Sequence, residues 1–253
     1  MNTLLVCSKS TQQFLPKYDR VRIVSSAPTK DILDEIDTEE NVVAIGGGAV
    51  QDTAKILSRC PITCYPTTAA GSSATSWSVY WDKTKKYSLK RVPPKYVILS
   101  GLFVENLPSE VIVNTTCDVV SHCLDSLCSK KATAESIGYC EVALNILNTK
   151  KNNFDLINAG HIAGKAIEIT GTNLLHSLSY PVTGHYNISH GRALAYFLPK
   201  LSKYMGYDVN NIIGNLNIDL QLDLDFVIEE AFKYNKIHEC KLKINKQIIK
   251  NML

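Results

Sequence analysis

The sequence predicts two domains, a parallel-sheet α/β domain over residues 1–104 and an all-helical domain over residues 105–253. Three observations predict this. The first hundred residues alternate short, continuous apolar runs with helix-like or turn-rich stretches, the pattern of strands buried on both faces. One of those runs ends in three glycines and opens into a helix-like segment. Beyond Pro108 the apolar residues recur at helical period.

In chain order, Thr3 to Cys7 (TLLVC) is a strand, Arg20 to Ser25 (RVRIVS) a second, and Asn41 to Ile45 (NVVAI) a third that runs into Gly46-Gly47-Gly48. Val50 to Leu57 is helical, Ile62 to Tyr65 (ITCY) a fourth strand and Tyr96 to Leu99 (YVIL) a fifth. Pro108 and Ser109 start the first long helix, with Glu110 favourable at its positive end. Helices are expected over Val111–Ser129, Ala132–Asn148, Asn153–Thr170, Gly171–Tyr180 and Gly191–Met205. Pro181 is expected to end the fourth of these and Gly184 to supply a turn. The Asn-rich stretch from Met205 to Leu222 reads as a loop, and Leu222 to Leu253 as two further helices.

Composition excludes several classes. Of 253 residues, 45% are hydrophobic and 20% charged, ordinary for a globular chain able to bury its own core. The net charge of +3 is small and the lysines are spread out, apart from a solvated face around Lys241 to Lys250, so no nucleic-acid partner is expected. The eight cysteines include no CxxC pair and read as reduced, mostly buried thiols. No signal-type start and no run of 18 apolar residues is present, so no membrane partner is expected and the cytoplasm is the expected location.

Chemistry concentrates in four places. Asp118 and His122 lie four apart, on one face of a helix, where a carboxylate and an imidazole can grip one ion; the same spacing suits a simple hydrogen-bonded pair. His176, His185 and His190, three of the six histidines, fall within fifteen residues. Imidazoles with one carboxylate suit Fe2+ or Zn2+ rather than calcium or magnesium. The segment Gly46-Gly47-Gly48-Ala49-Val50-Gln51-Asp52 lets backbone N–H groups approach a phosphate, although it is neither GxGxxG nor a P-loop. The small and hydroxylated run from Pro66 to Ser76 can line a groove or form an ordinary polar loop.

As an ordered set these segments resemble the iron-containing alcohol dehydrogenase family, within the superfamily that includes dehydroquinate synthase. GGGAVQDTAK is similar to GGGSxxDxAK, PTTAAGSSATS to PTTAGTGSEVT, and TTCDVVSHCLDSL and HSLSYPVTGHYNISHG to the two ligand-bearing segments. The resemblance covers about Asn41 to Pro199. It implies a Rossmann-like domain followed by a helical bundle, as in dehydroquinate synthase, and a metal held by Asp118, His122, His176 and His190. It also implies NAD or NADP bound at Gly46, Gly47, Gly48, Asp52, Thr67, Thr68 and Ser73, with Lys86 and Leu99 near the nicotinamide ribose. A small alcohol or aldehyde and a second copy of the chain are the partners to expect.

The sequence departs from the family pattern at several points. The family's GTGSEV is Ala70-Gly71-Ser72-Ser73-Ala74-Thr75, its LDP is Leu99-Ser100-Gly101, and a histidine often assigned to proton relay is Tyr180. Tyr180 and His185 are the candidate relays. About a dozen residues separate the first two strands, too few for the usual helix and its share of the adenosine site. WSVYWDKTKKYSL and SYPVTGHYNISHG are most similar to the branch of phosphonoacetaldehyde reductases and 3-deoxy-octulosonate oxidases, which implies a small anionic aldehyde or a sugar acid. The expected reaction is hydride transfer. The alternatives are a cyclase or lyase of the dehydroquinate synthase type, disfavoured because no rich set of basic residues surrounds the metal motifs, and a decayed binding protein.

Overall fold

The computed structural model describes residues 3–12, 18, 20–36 and 41–253. Strands β1 (Thr3–Cys7), β2 (Arg20–Ile23), β3 (Asn41–Gly46), β4 (Thr63–Pro66) and β7 (Tyr96–Val97) form one sheet in the order β2-β1-β3-β4-β7, with every pair parallel. The strand order reverses between β1 and β3. In open parallel sheets that switch point, beyond the carboxyl ends of the strands, is where ligands bind. The Gly46 turn lies there.

Side-chain alternation divides the sheet's two faces. Leu4, Val6, Val42, Ala44 and Cys64 pack with Val50, Ala54 and Leu57 of helix α2 (Gly48–Leu57), while Leu5, Cys7 and Ile45 form a smaller cluster on the other face. Between β1 and β2 a one-turn helix α1 (Lys9–Gln12) is described; residues 13–17 and 19 lie outside the described set. A two-stranded antiparallel hairpin, β5 (Trp77–Asp82) and β6 (Lys85–Lys90), stands apart from the sheet. It has no counterpart among the elements expected from sequence.

From Ser109 the described elements are all helical, joined by loops: α3 (Ser109–Leu127), α4 (Ala134–Thr149), α5 (Asn153–Thr170), α6 (Leu174–Tyr186), α7 (His190–Leu201), the short α8 (Asn210–Ile213), α9 (Leu224–Ala231) and α10 (Lys246–Met252). Reciprocal side-chain bonds of Thr133 with Ser136 and of Asn152 with Asp155 open α4 and α5. One apolar core, with Val119, Val120, Leu124, Leu156, Leu174, Leu178, Leu194 and Phe197 among its members, joins the bundle. None of the described helices is long and apolar enough to cross a membrane.

Two local expectations are corrected. Pro181 does not end a helix: α6 runs through it to Tyr186. Proline removes one N–H donor, and here the helix is buried continuously from Leu174 to Val182, so packing on both sides of Pro181 outweighs the missing bond. Gly184 is not in a turn but inside that helix. A Cβ there would sit 2.1 Å from the Thr84 carbonyl oxygen at the hairpin tip, so the glycine permits a close approach of backbone to backbone. The turn falls instead at Asn187, whose φ is +54°.

Candidate metal centre and cleft

Residues 115–127 of α3 are all buried, which takes Asp118 and His122 into the interior on one helical face. His176 lies in the first turn of α6 and His190 is the first residue of α7. Three imidazole nitrogens converge on one carboxylate oxygen. Asp118 Oδ1 is 3.4 Å from His122 Nε2, 3.4 Å from His176 Nε2 and 3.8 Å from His190 Nε2. The tightest set is Asp118, His176 and His190, with ligand atoms within 4.8 Å of one another. His122 joins it at Asp118 and by stacking on His176, with centroids 4.7 Å apart.

This arrangement fits a divalent metal. Asp118 Oδ1 and His176 Nε2 are buried and have no hydrogen-bond partner among the described residues, a costly state for polar atoms unless something else satisfies them. Donors sharing one tetrahedral ion with bonds of about 2.1 Å stand about 3.4 Å apart, close to the observed spacings. The surrounding residues fix ring orientation. His176 Nδ1 lies 2.9 Å from Asp125 Oδ2, leaving Nε2 to face Asp118, and His190 Nδ1 lies 3.1 Å from Ser179 Oγ. Burial depresses His122 to about 4, whereas for His176 burial is outweighed by Asp118 and Asp125, which lift it to about 9.

These residues form part of the wall of a cleft of about 700 Å³ between the sheet domain and the helical bundle. The opposite wall carries Gly48, Ala49 and Asp52 at the start of α2, Thr68, and Trp77, Trp81 and Lys86 of the hairpin. Of the expected cofactor residues, Gly48, Asp52, Thr68 and Lys86 line this space. Gly46, Gly47, Thr67, Ser73 and Leu99 do not: Thr67 and Ser73 are buried, and Leu99 follows β7. Gly46 lies behind the turn, its carbonyl accepting from Gln51 Nε2 at 2.8 Å and from Thr67 N at 3.1 Å.

Asp52 is engaged within the protein. It accepts from Ser72 Oγ at 2.6 Å and lies 3.5 Å from Lys55 Nζ. Lys55 is fully buried and donates to Ser72 O at 2.8 Å and to the Trp77 carbonyl. Burial works against both charges, raising the Asp52 carboxyl and lowering the Lys55 ammonium. The pair ties α2 to the loop at Ser72 and to the hairpin.

The two expected proton relays separate. Tyr180 is buried in the cleft wall, with its ring 6.4 Å from His176 and 6.0 Å from His190. Its hydroxyl lies 3.2 Å from Thr172 Oγ1 and 3.2 Å from Lys236 Nζ. Burial raises its pKa, but the ammoniums of Lys236 and Lys86 outweigh this and bring it to about 7. His185 is exposed on the far side of α6 against Phe226, with centroids 4.9 Å apart, and does not line the cleft.

The metal motifs themselves carry no rich set of basic residues, but the fold brings three lysines to the cleft. Lys86, Lys131 and Lys236 line the cleft, delivered by the hairpin, the turn after α3 and the tail. They are remote in sequence from the metal motifs, so no local pattern gathers them. Lys55, Asp125 and Lys236 are groups at the site that motif reading did not single out; Lys55 and Asp125 lie inside the family-like segments GGGAVQDTAK and TTCDVVSHCLDSL, whereas Lys236 lies far from any of them.

Residues 112–239, half of the chain, match the C-terminal domain of the Fe-containing alcohol dehydrogenase family, and the chain belongs to that family. It is 29% identical over 226 residues to a 4-hydroxybutyrate dehydrogenase of Clostridium kluyveri, covering 74% of this chain and 60% of that one. It is 26% identical over 206 residues to a phosphonoacetaldehyde reductase of Streptomyces viridochromogenes, covering 64% and 52%. An iron-containing alcohol dehydrogenase from Thermotoga maritima has the same fold, with a TM-score of 0.84 at 21% identity over 100% of this chain and 90% of that one. The matches span 24% to 60% of the length of the curated relatives.

Proposed function

We propose that the chain is a metal-dependent, NAD- or NADP-linked alcohol dehydrogenase or aldehyde reductase. The observation that carries this reading is the meeting of three Nε2 atoms on Asp118 Oδ1 in the wall of a cleft whose other wall is the start of α2. Asp118, His176 and His190, with His122 beside them, would hold Fe2+ or Zn2+. A metal bound there acts as a Lewis acid toward the oxygen of an alcohol or carbonyl substrate. The amides at Gly48 and Ala49, at the positive end of α2, suit the phosphates of a dinucleotide. The chain's own contribution is to hold the nicotinamide and the substrate carbon together and to keep water out.

Tyr180 is the group proposed to move the substrate's proton. Its near-neutral pKa matches the work of a general acid–base, and Thr172 and Lys236 hold its hydroxyl. A Tyr180→Phe variant with full kcat at every pH would remove it from that role.

The test is metal analysis of anaerobically purified protein together with a panel of alcohols and aldehydes followed at the nicotinamide absorbance. Stoichiometric cofactor change is expected, and His190→Ala should lose both metal and activity. Unchanged metal content in that variant would count against the centre. The lysines of the cleft favour a second reading, a cyclase of the dehydroquinate synthase type. It predicts turnover with no net change in nicotinamide absorbance, so the same assay separates the two.

A further inference from the structure

Behind Tyr180 a second cavity of about 280 Å³ adjoins the cleft, and Lys86, Ser88, Tyr180 and Lys236 line both spaces. Its walls carry four lysines, Lys85, Lys86, Lys233 and Lys236, and no acidic residue. Lys233 is paired with Glu230. Among the described residues the other three have no carboxylate within ion-pair distance. Two of these ammoniums close on the same side chain: Lys236 Nζ is 3.2 Å from the Tyr180 hydroxyl, and Lys86 Nζ is 4.3 Å from the Tyr180 ring centroid.

Like charges gathered in a concave space repel one another and concentrate anions there. A bound oxyanion would relieve that repulsion through charge-assisted hydrogen bonds. The annex is continuous with the metal centre through Tyr180, whose ring stands 6.0 Å from His190. A ligand reaching from the metal past this ring into the annex needs roughly a two- to three-carbon spacer.

We infer that this annex receives the anionic end, a carboxylate or a phosphonate, of a substrate whose carbonyl lies at the metal centre, and that Lys236 is its specificity-determining residue. The inference rests on the dehydrogenase reading above for what happens at the other end of the substrate. Lys236 is singled out because its ammonium stands at the Tyr180 hydroxyl, 3.2 Å away, whereas that of Lys86 lies over the ring face.

The test compares two aldehydes of equal chain length, butanal and 4-oxobutanoate, which differ in a terminal carboxylate. Wild type should favour 4-oxobutanoate in kcat/KM. Lys236→Met should reduce that preference by on the order of tenfold to a hundredfold, the loss expected of a charge-assisted bond. Taking the ratio removes any effect that acts through Tyr180 on both substrates alike. Lys236→Arg, which keeps the charge, should retain most of the preference and guards against a folding defect. An unchanged ratio in Lys236→Met overturns the inference and leaves the dehydrogenase reading intact. Calorimetry with succinate separates the failures. Succinate binding to wild type but not to Lys236→Met, with neither aldehyde turned over, would sustain the anion site and sink the dehydrogenase. Absence of succinate binding together with an unchanged ratio would sink the annex alone. 3-Phosphonopropanal against propanal, which keeps the two-carbon spacer of 4-oxobutanoate, then tells which head group the annex prefers.

Discussion

Asp125 decides which nitrogen of His176 faces Asp118 in the candidate metal centre. Its carboxylate accepts from the backbone N of Asn173 at 2.8 Å and of Leu175 at 3.0 Å, and lies 2.9 Å from His176 Nδ1. One buried side chain therefore fixes both the start of α6 and the tautomer of its first histidine. Replacement by Asn keeps the shape but puts an amide where a carboxylate now faces four N–H groups, the backbone N of His176 at 3.3 Å among them. We expect Asp125→Asn to weaken metal binding by about 10- to 100-fold, as read by competition with a chelator. Unaltered affinity would mean that α3 and α6 hold His176 without this bond. Asp118 and His122 were legible in the sequence because their relationship is local, four residues on one helix. Asp125 was not, since its task exists only once α6 lies against α3, about 50 residues later. His185 and His190 look alike in sequence. They part because α6 continues through Pro181: nine residues beyond His176 is two and a half turns, which sends His185 to the opposite face, whereas Tyr180, four beyond, stays on the same one.

At the scale of elements, the five parallel strands and five main helices were legible because continuous apolar runs and 3.6-residue periodicity survive in any context. The β5–β6 hairpin was not. Its two-residue connection is Lys83-Thr84, with Lys83 at φ +55°, where an Asn-Gly or Asp-Gly pair would have announced the turn. Its faces hold aromatic rings and lysines rather than a clean polar and apolar alternation. Yet this hairpin brings Trp77, Trp81 and Lys86 to the cleft, and its tip rests on α6 where Gly184 leaves room. Gly184→Ala would place a methyl 2.1 Å from the Thr84 carbonyl and 3.1 Å from the Trp81 ring. Both neighbours would have to shift, at a cost of about 1–3 kcal/mol. The expected result is a lower Tm and a raised KM for the nicotinamide cofactor, with metal content unchanged. A variant of wild-type stability would show that the hairpin tip yields freely.

Across the whole molecule the site is divided. The proposed metal ligands come from positions 118 to 190 in the helical bundle, and the groups of the opposite wall from positions 48 to 88. Neither half can do the proposed chemistry unless the two are held in fixed relation. Helix α5 makes that junction. Gly160 and Gly164 let it lie directly against the loop from Ala69 to Ala74, because a Cβ at Gly164 would stand 2.5 Å from the Gly71 carbonyl oxygen. One turn further on, Glu168 accepts from Ser76 N at 3.0 Å and from Ser76 Oγ at 2.6 Å. Ser76 is itself buried, so removing the carboxylate leaves its amide without that partner. Such a loss costs about 1–3 kcal/mol. Glu168→Ala is therefore expected to lower stability by about that much and to speed hydrogen exchange in residues 69–77. Cofactor KM should rise while metal content stays at the wild-type level, because no ligand depends on this contact. That split distinguishes the junction from Asp125, whose loss is expected to act on the metal first. If Glu168→Ala lost metal as well, the helical bundle would have to be regarded as shaped by the sheet domain rather than complete by itself.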